Sequence, residues 1–156
     1  MTLDELRAYA AAGESETVEF KRTTGELQAG LQTVCAFLNG GGGVVLFGVR
    51  DDGRIEGQQV SDSTLREVAG GIGRIEPPVS LRCESVEVGS GRSVIAVRAG
   101  RADGGPFTFD GRPYERVGTV TRRMPQREYE RRLLERSYST RRWESLPAEG
   151  YRLRWL

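Results

Sequence analysis

The sequence predicts a mixed α/β domain of α+β character, a mixed sheet packed with three to four helices. Three observations carry this. Segments with helical periodicity alternate with apolar or alternating strand segments along the front half. One run, VVLFGV (44–49), is almost continuously apolar, as a strand covered on both faces would be. The back half holds strand pairs punctuated by GSG (89–91) and Asp110-Gly111, both hairpin signals. With 156 residues, 37 % of them hydrophobic, the chain can bury one real core.

The elements follow in order. MTLDELRAYA opens a short helix, with Thr2 as N-cap and Glu5 three residues on. ETVEFKR (16–22) alternates as a strand, sending Val18 and Phe20 to the core and Thr17, Glu19 and Lys21 the other way. GELQAGLQTVCAFLN (25–39) is helical, with Leu27, Leu31, Val34, Cys35 and Leu38 on one face. Asn39 and the glycines 40–43 stop it and turn the chain into strand 44–49. DDGRIEG (51–57) is a turn leading to a short return strand. Residues 61–75 form a helix capped by Ser61 or Ser63, with Leu65, Val68, Ala69 and Ile72 inward. Two hairpins follow, and a last helix spans 125–137, Pro125 in its first turn. The domain is expected over residues 1–140. The tail, 141–156, ends on Trp155-Leu156 and is expected to pack on a partner or to lead into a further region.

Composition excludes much chemistry. The chain has no histidine, so no Ser-His-Asp triad, Cys-His pair or imidazole base can be built. Two cysteines without histidine leave no structural zinc site; Cys35 and Cys83 read as buried free thiols of a reducing cytosol. No apolar run approaches the ~18 residues of a membrane span. An enzyme built from this chain would use carboxylates, Lys, Arg, Tyr or a metal held by oxygen. The basic set is 22 Arg and a single lysine, Lys21; Asn39 is the only asparagine. Both positions are thereby marked as needing something that arginine or serine does not supply. Net charge is +1, yet residues 1–60 are acidic and residues 121–156 carry ten Arg against five Glu. Such a basic end suits a polyanion, or is one face of a solvated helix.

The candidate site is ESETVEFKRT (14–23). Glu19 and Lys21 share a strand face, and Glu14 lies where the chain can curl back toward Glu19. Asp51 follows strand 44–49, at the end of a strand where α/β sites are usually built. If the two strands are antiparallel neighbours, Asp51 arrives near the start of the first. Three converging carboxylates would call for a hard cation, Mg²⁺ or Mn²⁺, with Lys21 touching a phosphate oxygen or an attacking water. The other reading of the same spacing is a solvent-facing edge strand whose charges discourage aggregation. Late in the chain, Tyr114, Arg116, Arg122 and Arg123 suit base stacking and phosphate contacts, or a packed tyrosine among solvated arginines. Arg131 and Arg132 extend that basic stretch, and Arg22 flanks the acidic one. The four glycines could be taken for a phosphate cradle, but no G-K-[ST] follows and they lead into a strand, so a tight turn fits better.

The motifs E-x-x-x-x-E-F-K (14–21), A-F-L-N-x-x-G-G (36–43), V-x-L-F-G-V-x-D-D-G (44–53), I-x-P-P (75–78) and Y-x-R-x-G-x-x-T (114–121) occur in this order. In this, residues 10–137 resemble the Schlafen AlbA_2 domain family, once labelled a divergent AAA domain. The resemblance implies a nucleic-acid-associated α/β lobe, one of two that form a clamp on RNA in animal Schlafens. Its nuclease members cut tRNA or rRNA with a three-carboxylate metal site, which lands on Glu14, Glu19 and Asp51. A single lobe would then need a homodimer to make the clamp. The expectation is a cytoplasmic domain that binds structured RNA or DNA and acts as a Mg²⁺- or Mn²⁺-dependent endoribonuclease. Its alternatives are a non-catalytic DNA- or RNA-binding regulatory module, or an interaction domain of an ATPase-linked protein.

Overall fold

The structure, a computed structural model, describes residues 1–144. Helix α1 (Leu3–Ala12) is capped by Thr2, whose hydroxyl accepts the Glu5 amide at 3.1 Å. Strand β1 (Val18–Lys21), helix α2 (Leu27–Leu38) and strand β2 (Gly43–Phe47) follow, a 3₁₀ turn at Thr24–Glu26 leading into α2. Helix α3 (Asp62–Ile72) takes Ser61 as its cap, in a reciprocal pair of bonds with Thr64. Strands β3 (Ile75–Glu76), β4 (Arg82–Gly89), β5 (Arg92–Ala99), β6 (Thr108–Phe109), β7 (Arg112–Val117) and β8 (Val120–Arg123) precede helix α4 (Gln126–Glu144). Helix α4 runs past the expected end at 137. The expected partner-packing segment ending in Trp155-Leu156 lies outside the described residues.

Two four-stranded sheets form instead of one, in the orders β1-β2-β5-β4 and β3-β6-β7-β8. Both predicted hairpins are present. Ser90 and Gly91 (φ 55° and 69°) turn β4 into β5, and Asp110 and Gly111 (φ 50° and 76°) turn β6 into β7, the left-handed pairs a two-residue hairpin requires. A third hairpin, β7 to β8, pairs Arg116 with Thr121.

The layers explain the hydrophobic pattern. Helix α1 lays Leu6 and Ala10 on one face of the first sheet, against Val18, Phe20, Val44 and Leu46. Helix α2 covers the other face, against Val45 and Phe47, and its far side packs on Phe107, Phe109 and Tyr114 of the second-sheet region. Covered on both sides, α2 buries Gly30, Thr33, Ala36 and Phe37 as well as Leu31, Val34, Cys35 and Leu38 of the predicted stripe, Leu27 being half-buried. Two expectations fail at the periphery. Leu65 and Ala69 of α3 are exposed, because the helix meets α2 through Val68 and Gly71. Cys83 is exposed on the edge strand β4, whereas Cys35 is buried and its thiol is pushed up to about 11 by desolvation.

The contact between α2 and β2 is tight at one point. A Cβ on Gly30 would stand 2.4 Å from the Phe47 ring, and Phe47 is fully buried. Gly30→Ala gains about 1 kcal/mol of helix propensity and incurs about 1–3 kcal/mol of overpacking. The net expectation is a loss of about 1 kcal/mol by urea unfolding, partly relieved in Gly30→Ala/Phe47→Leu. A Gly30→Ala protein as stable as the wild type would show that the ring has room to move.

Candidate functional site

Strands β1 and β2 are neighbours, but parallel: Val18 pairs with Val44 and Lys21 with Phe47. The antiparallel arrangement expected from the sequence is therefore corrected, and the carboxylates meet by another route. Parallel pairing delivers residues 48–53 to the C-terminal end of β1, where the Gly48 and Val49 amides bond the Lys21 carbonyl at 2.7 and 3.2 Å. Gly48 turns there with φ 117°, and a Cβ would stand 2.9 Å from the Gly57 Cα. Glu14 reaches forward along the open edge of β1, its Oε1 accepting the Phe20 amide at 2.8 Å.

Glu19 stands on the α2 side of β1, and its side chain is 10 % exposed. Lys21 Nζ lies 3.3 Å from Glu19 Oε1. Glu14 feels both other acids. Burial is the largest influence raising its carboxyl above the ordinary 4.5; the Phe20 amide pulls it down, while the charge of Glu19, a hydrogen bond shared with Glu19 and the charge of Asp51 push it up. The acids thus form one electrostatic group. Among the described residues no three carboxylates or cysteines stand close enough to enclose a metal ion as they are placed. The donor chemistry suits Mg²⁺ or Mn²⁺, and the repulsion on Glu14 is what a cation would relieve.

This gives a pH dependence. A raised carboxyl in the fold means that the contribution of Glu14 to stability is fully present below pH 4.5 and is lost as pH rises through the folded pKa. Glu14→Gln keeps an acceptor for Phe20 and removes the repulsion. Its melting temperature is expected to match the wild type near pH 4 and exceed it by about 2–4 °C at neutral pH. Equal melting at both pH values would show that Glu14 carries no such strain.

The remaining predicted residues divide. Arg116 is buried, its side chain 4 % exposed, and it pairs with Glu19; it is no surface phosphate contact. Tyr114 is buried in the core, its carbonyl accepting from Asn39 at 2.9 Å, so it offers no face for stacking. The expectation for both fails because their strand packs against α2. Arg122 and Arg123 are exposed on the edge strand β8, Arg122 bonded to Glu115 at 2.7 Å. Arg22 is exposed beside Asp51. Arg131 and Arg132 sit on α4, at the rim of an open depression of about 840 Å³ shared with the glycine turn. Both are paired with Glu128, whose carboxyl they hold down to about 2. Sequence reasoning passed over Arg50 and Arg54, which flank Asp51 and line with it a depression of about 640 Å³; their placement on either side of the Asp-Asp-Gly turn was the available signal.

The family model described as Schlafen, AlbA_2 matches residues 14–125, from the first glutamate of the cluster to the start of α4. The chain belongs to the Schlafen AlbA_2 family. Among solved structures, this AlbA_2 chain is similar to the N-terminal domain of a putative ATP-dependent DNA helicase RecG-related protein from Nitrosomonas europaea. They share 23 % identity at a TM-score of 0.57, over 80 % of this chain and 94 % of that one. It is also similar to the DIP2311 protein from Corynebacterium diphtheriae, at 22 % identity and a TM-score of 0.54, over 82 % of this chain. The AlbA_2 chain spans about a quarter of that protein's length, the matched share being 26 %. At these identities the likeness is one of fold. No curated protein matches the sequence. Among the described residues no helix is long and apolar enough to cross a membrane.

Proposed function

We propose that this AlbA_2 domain binds nucleic acid and cleaves structured RNA, such as tRNA, at a divalent-metal site made by Glu14, Glu19 and Asp51. The observation that carries the reading is the electrostatic grouping of these three acids beside the only lysine of the chain. Family membership and the name of the Nitrosomonas relative support association with nucleic acid. Glu14 Oε1 is tied to Phe20, Glu19 Oε2 to Arg116 and Glu19 Oε1 to Lys21 at 3.3 Å, so Mg²⁺ or Mn²⁺ would take the second oxygen of Glu14 and share Glu19 Oε1 with Lys21. Such an ion, when bound, would make water a better nucleophile and neutralise charge on the scissile phosphate. Lys21, bonded to Glu19 Oε1, would hold a phosphate oxygen beside the ion. Arg22, Arg122, Arg123, Arg131 and Arg132 would hold backbone phosphates, giving salt-sensitive affinity. A second copy would supply the other wall of a clamp, seen as a dimer by sedimentation in the buffer of the cleavage assay, with cytoplasmic salt and pH.

The test is cleavage of a labelled tRNA pool with Mn²⁺ by the wild type, Asp51→Asn and Glu14→Gln, with RNA binding measured for each. Cutting by the wild type alone, with binding retained in all three, supports the site. Equal cutting by the variants, or none by a wild type that binds, removes the nuclease. A second reading, a non-catalytic binding module, is favoured by one observation: Glu19 already has Arg116 and Lys21 as counter-ions. A module of that kind is stabilised by RNA or DNA and not by Mn²⁺.

A further inference from the structure

We infer that Arg116 is the positioning residue of the carboxylate site, an inference that rests on the metal reading above. Its two Nη groups divide their donors between two kinds of partner, while Nε is buried without one among the described residues. Nη1 donates to Glu19 Oε2 and to the Thr121 hydroxyl, the latter at 3.0 Å. Nη2 donates to the Ser15 and Val18 carbonyls at 2.8 and 3.2 Å. Those carbonyls belong to the turn that joins Glu14 to β1, a turn closed by Ser15 and Val18 pairing with each other. One side chain from the second sheet therefore ties the turn following Glu14 and the carboxylate of Glu19 into a single unit. The strut is itself braced. Thr121 shares a 2.8 Å hydrogen bond with Thr33 of α2, and the Phe37 ring lies 5.4 Å from the guanidinium carbon.

The consequence is directional. With Oε2 held by Arg116, the oxygen left to a cation is Oε1, which it would share with Lys21 Nζ, 3.3 Å away. A ligand carboxylate held from behind in this way loses little freedom when it takes a cation, and removing such partners typically lowers metal affinity 10–100-fold. The device requires a fork. Lysine keeps the charge but cannot serve two carbonyls and a carboxylate from one nitrogen in this geometry. The Y-x-R-x-G-x-x-T motif thereby acquires a role in the site from inside the fold, through Arg116 and Thr121.

The test is isothermal titration of the full chain with Mn²⁺, comparing wild type, Arg116→Lys, Arg116→Gln, Thr121→Val and Asp51→Asn, with folding checked by far-UV circular dichroism. Asp51→Asn is expected to weaken Mn²⁺ strongly. Arg116→Lys and Arg116→Gln are expected to weaken it 10–100-fold with every carboxylate present. Wild-type affinity in folded Arg116→Lys, beside a weakened Asp51→Asn, overturns this inference and leaves the metal reading standing. A wild type that takes no Mn²⁺ overturns both. If the Arg116 variants fail to fold, the near-isosteric Thr121→Val decides. It removes one brace of Nη1, so a loss of affinity supports the inference and wild-type affinity overturns it.

Discussion

Glu19→Ala is expected to lower the melting temperature by about 10 °C, independently of any metal. The pair it breaks is buried, with side-chain exposures of 4 % for Arg116 and 10 % for Glu19. Removing one partner of a buried pair strands the other's charge and typically costs about 3–5 kcal/mol; in a domain of this size each kcal/mol moves the midpoint by about 2–4 °C. Arg116 would keep Ser15, Val18 and Thr121 as acceptors, which holds the loss at the lower part of that range. Replacing both members, as in Glu19→Leu/Arg116→Met, should cost less than the two single changes added together. Thermal unfolding by circular dichroism reads this directly, and a shift under about 3 °C for Glu19→Ala would mean that the pair is solvated. The result bears on the nuclease assay. Lost cleavage in Glu19→Ala confounds chemistry with folding, so exposed Asp51 and partly buried Glu14 are the cleaner positions to change.

Asn39→Ala should destabilise the domain by a similar amount, about 3–5 kcal/mol. The Asn39 amide group copies a strand partner: Nδ2 donates to the Phe107 and Tyr114 carbonyls, each at 2.9 Å, and Oδ1 accepts the Phe107 amide at 2.7 Å. At the junction of α2 and the second sheet, alanine would leave the Phe107 amide and the Tyr114 carbonyl without their Asn39 partner and the Phe107 carbonyl with only the weak Cys35 thiol donor, 3.3 Å away, at about 1–3 kcal/mol for each group left unpaired before relaxation. The change Asn39→Asp would be no better, since a carboxylate offers no donors and would face two carbonyls. Equilibrium unfolding in urea distinguishes the cases; an Asn39→Asp protein with wild-type stability would show that these bonds are not holding the junction. This accounts for the only asparagine of the chain, which needs a donor and an acceptor at that reach.

Much of the architecture follows from local signals. Thr2 and Ser61 start their helices where a hydroxyl can take an orphan amide. Asp110-Gly111 and Ser90-Gly91 turn where left-handed backbone is needed. The apolar run 44–49 lies in a strand region covered on both faces. That β1 and β2 are neighbours was also legible in the sequence, and Glu14 does feel the charges of Glu19 and Asp51. The direction of the two strands was not: a period of two says which side a residue faces and nothing about how the partner runs. Nor was the second sheet, whose strands β3 and β6 are two residues each, too short for a periodicity.

The sequence by itself determined which residues could cap, turn and alternate, and which chemistry lacked its residues, imidazole above all. Only the tertiary structure decided which polar side chains are surface and which are framework. Arg116 and Tyr114 look like contacts for a ligand when read along the chain, since arginine is mostly exposed and tyrosine has a polar end. They are internal because α2 is covered by a second sheet, and their burial is supported by acceptors within reach of most of their donors, Arg116 Nε being buried without a partner among the described residues.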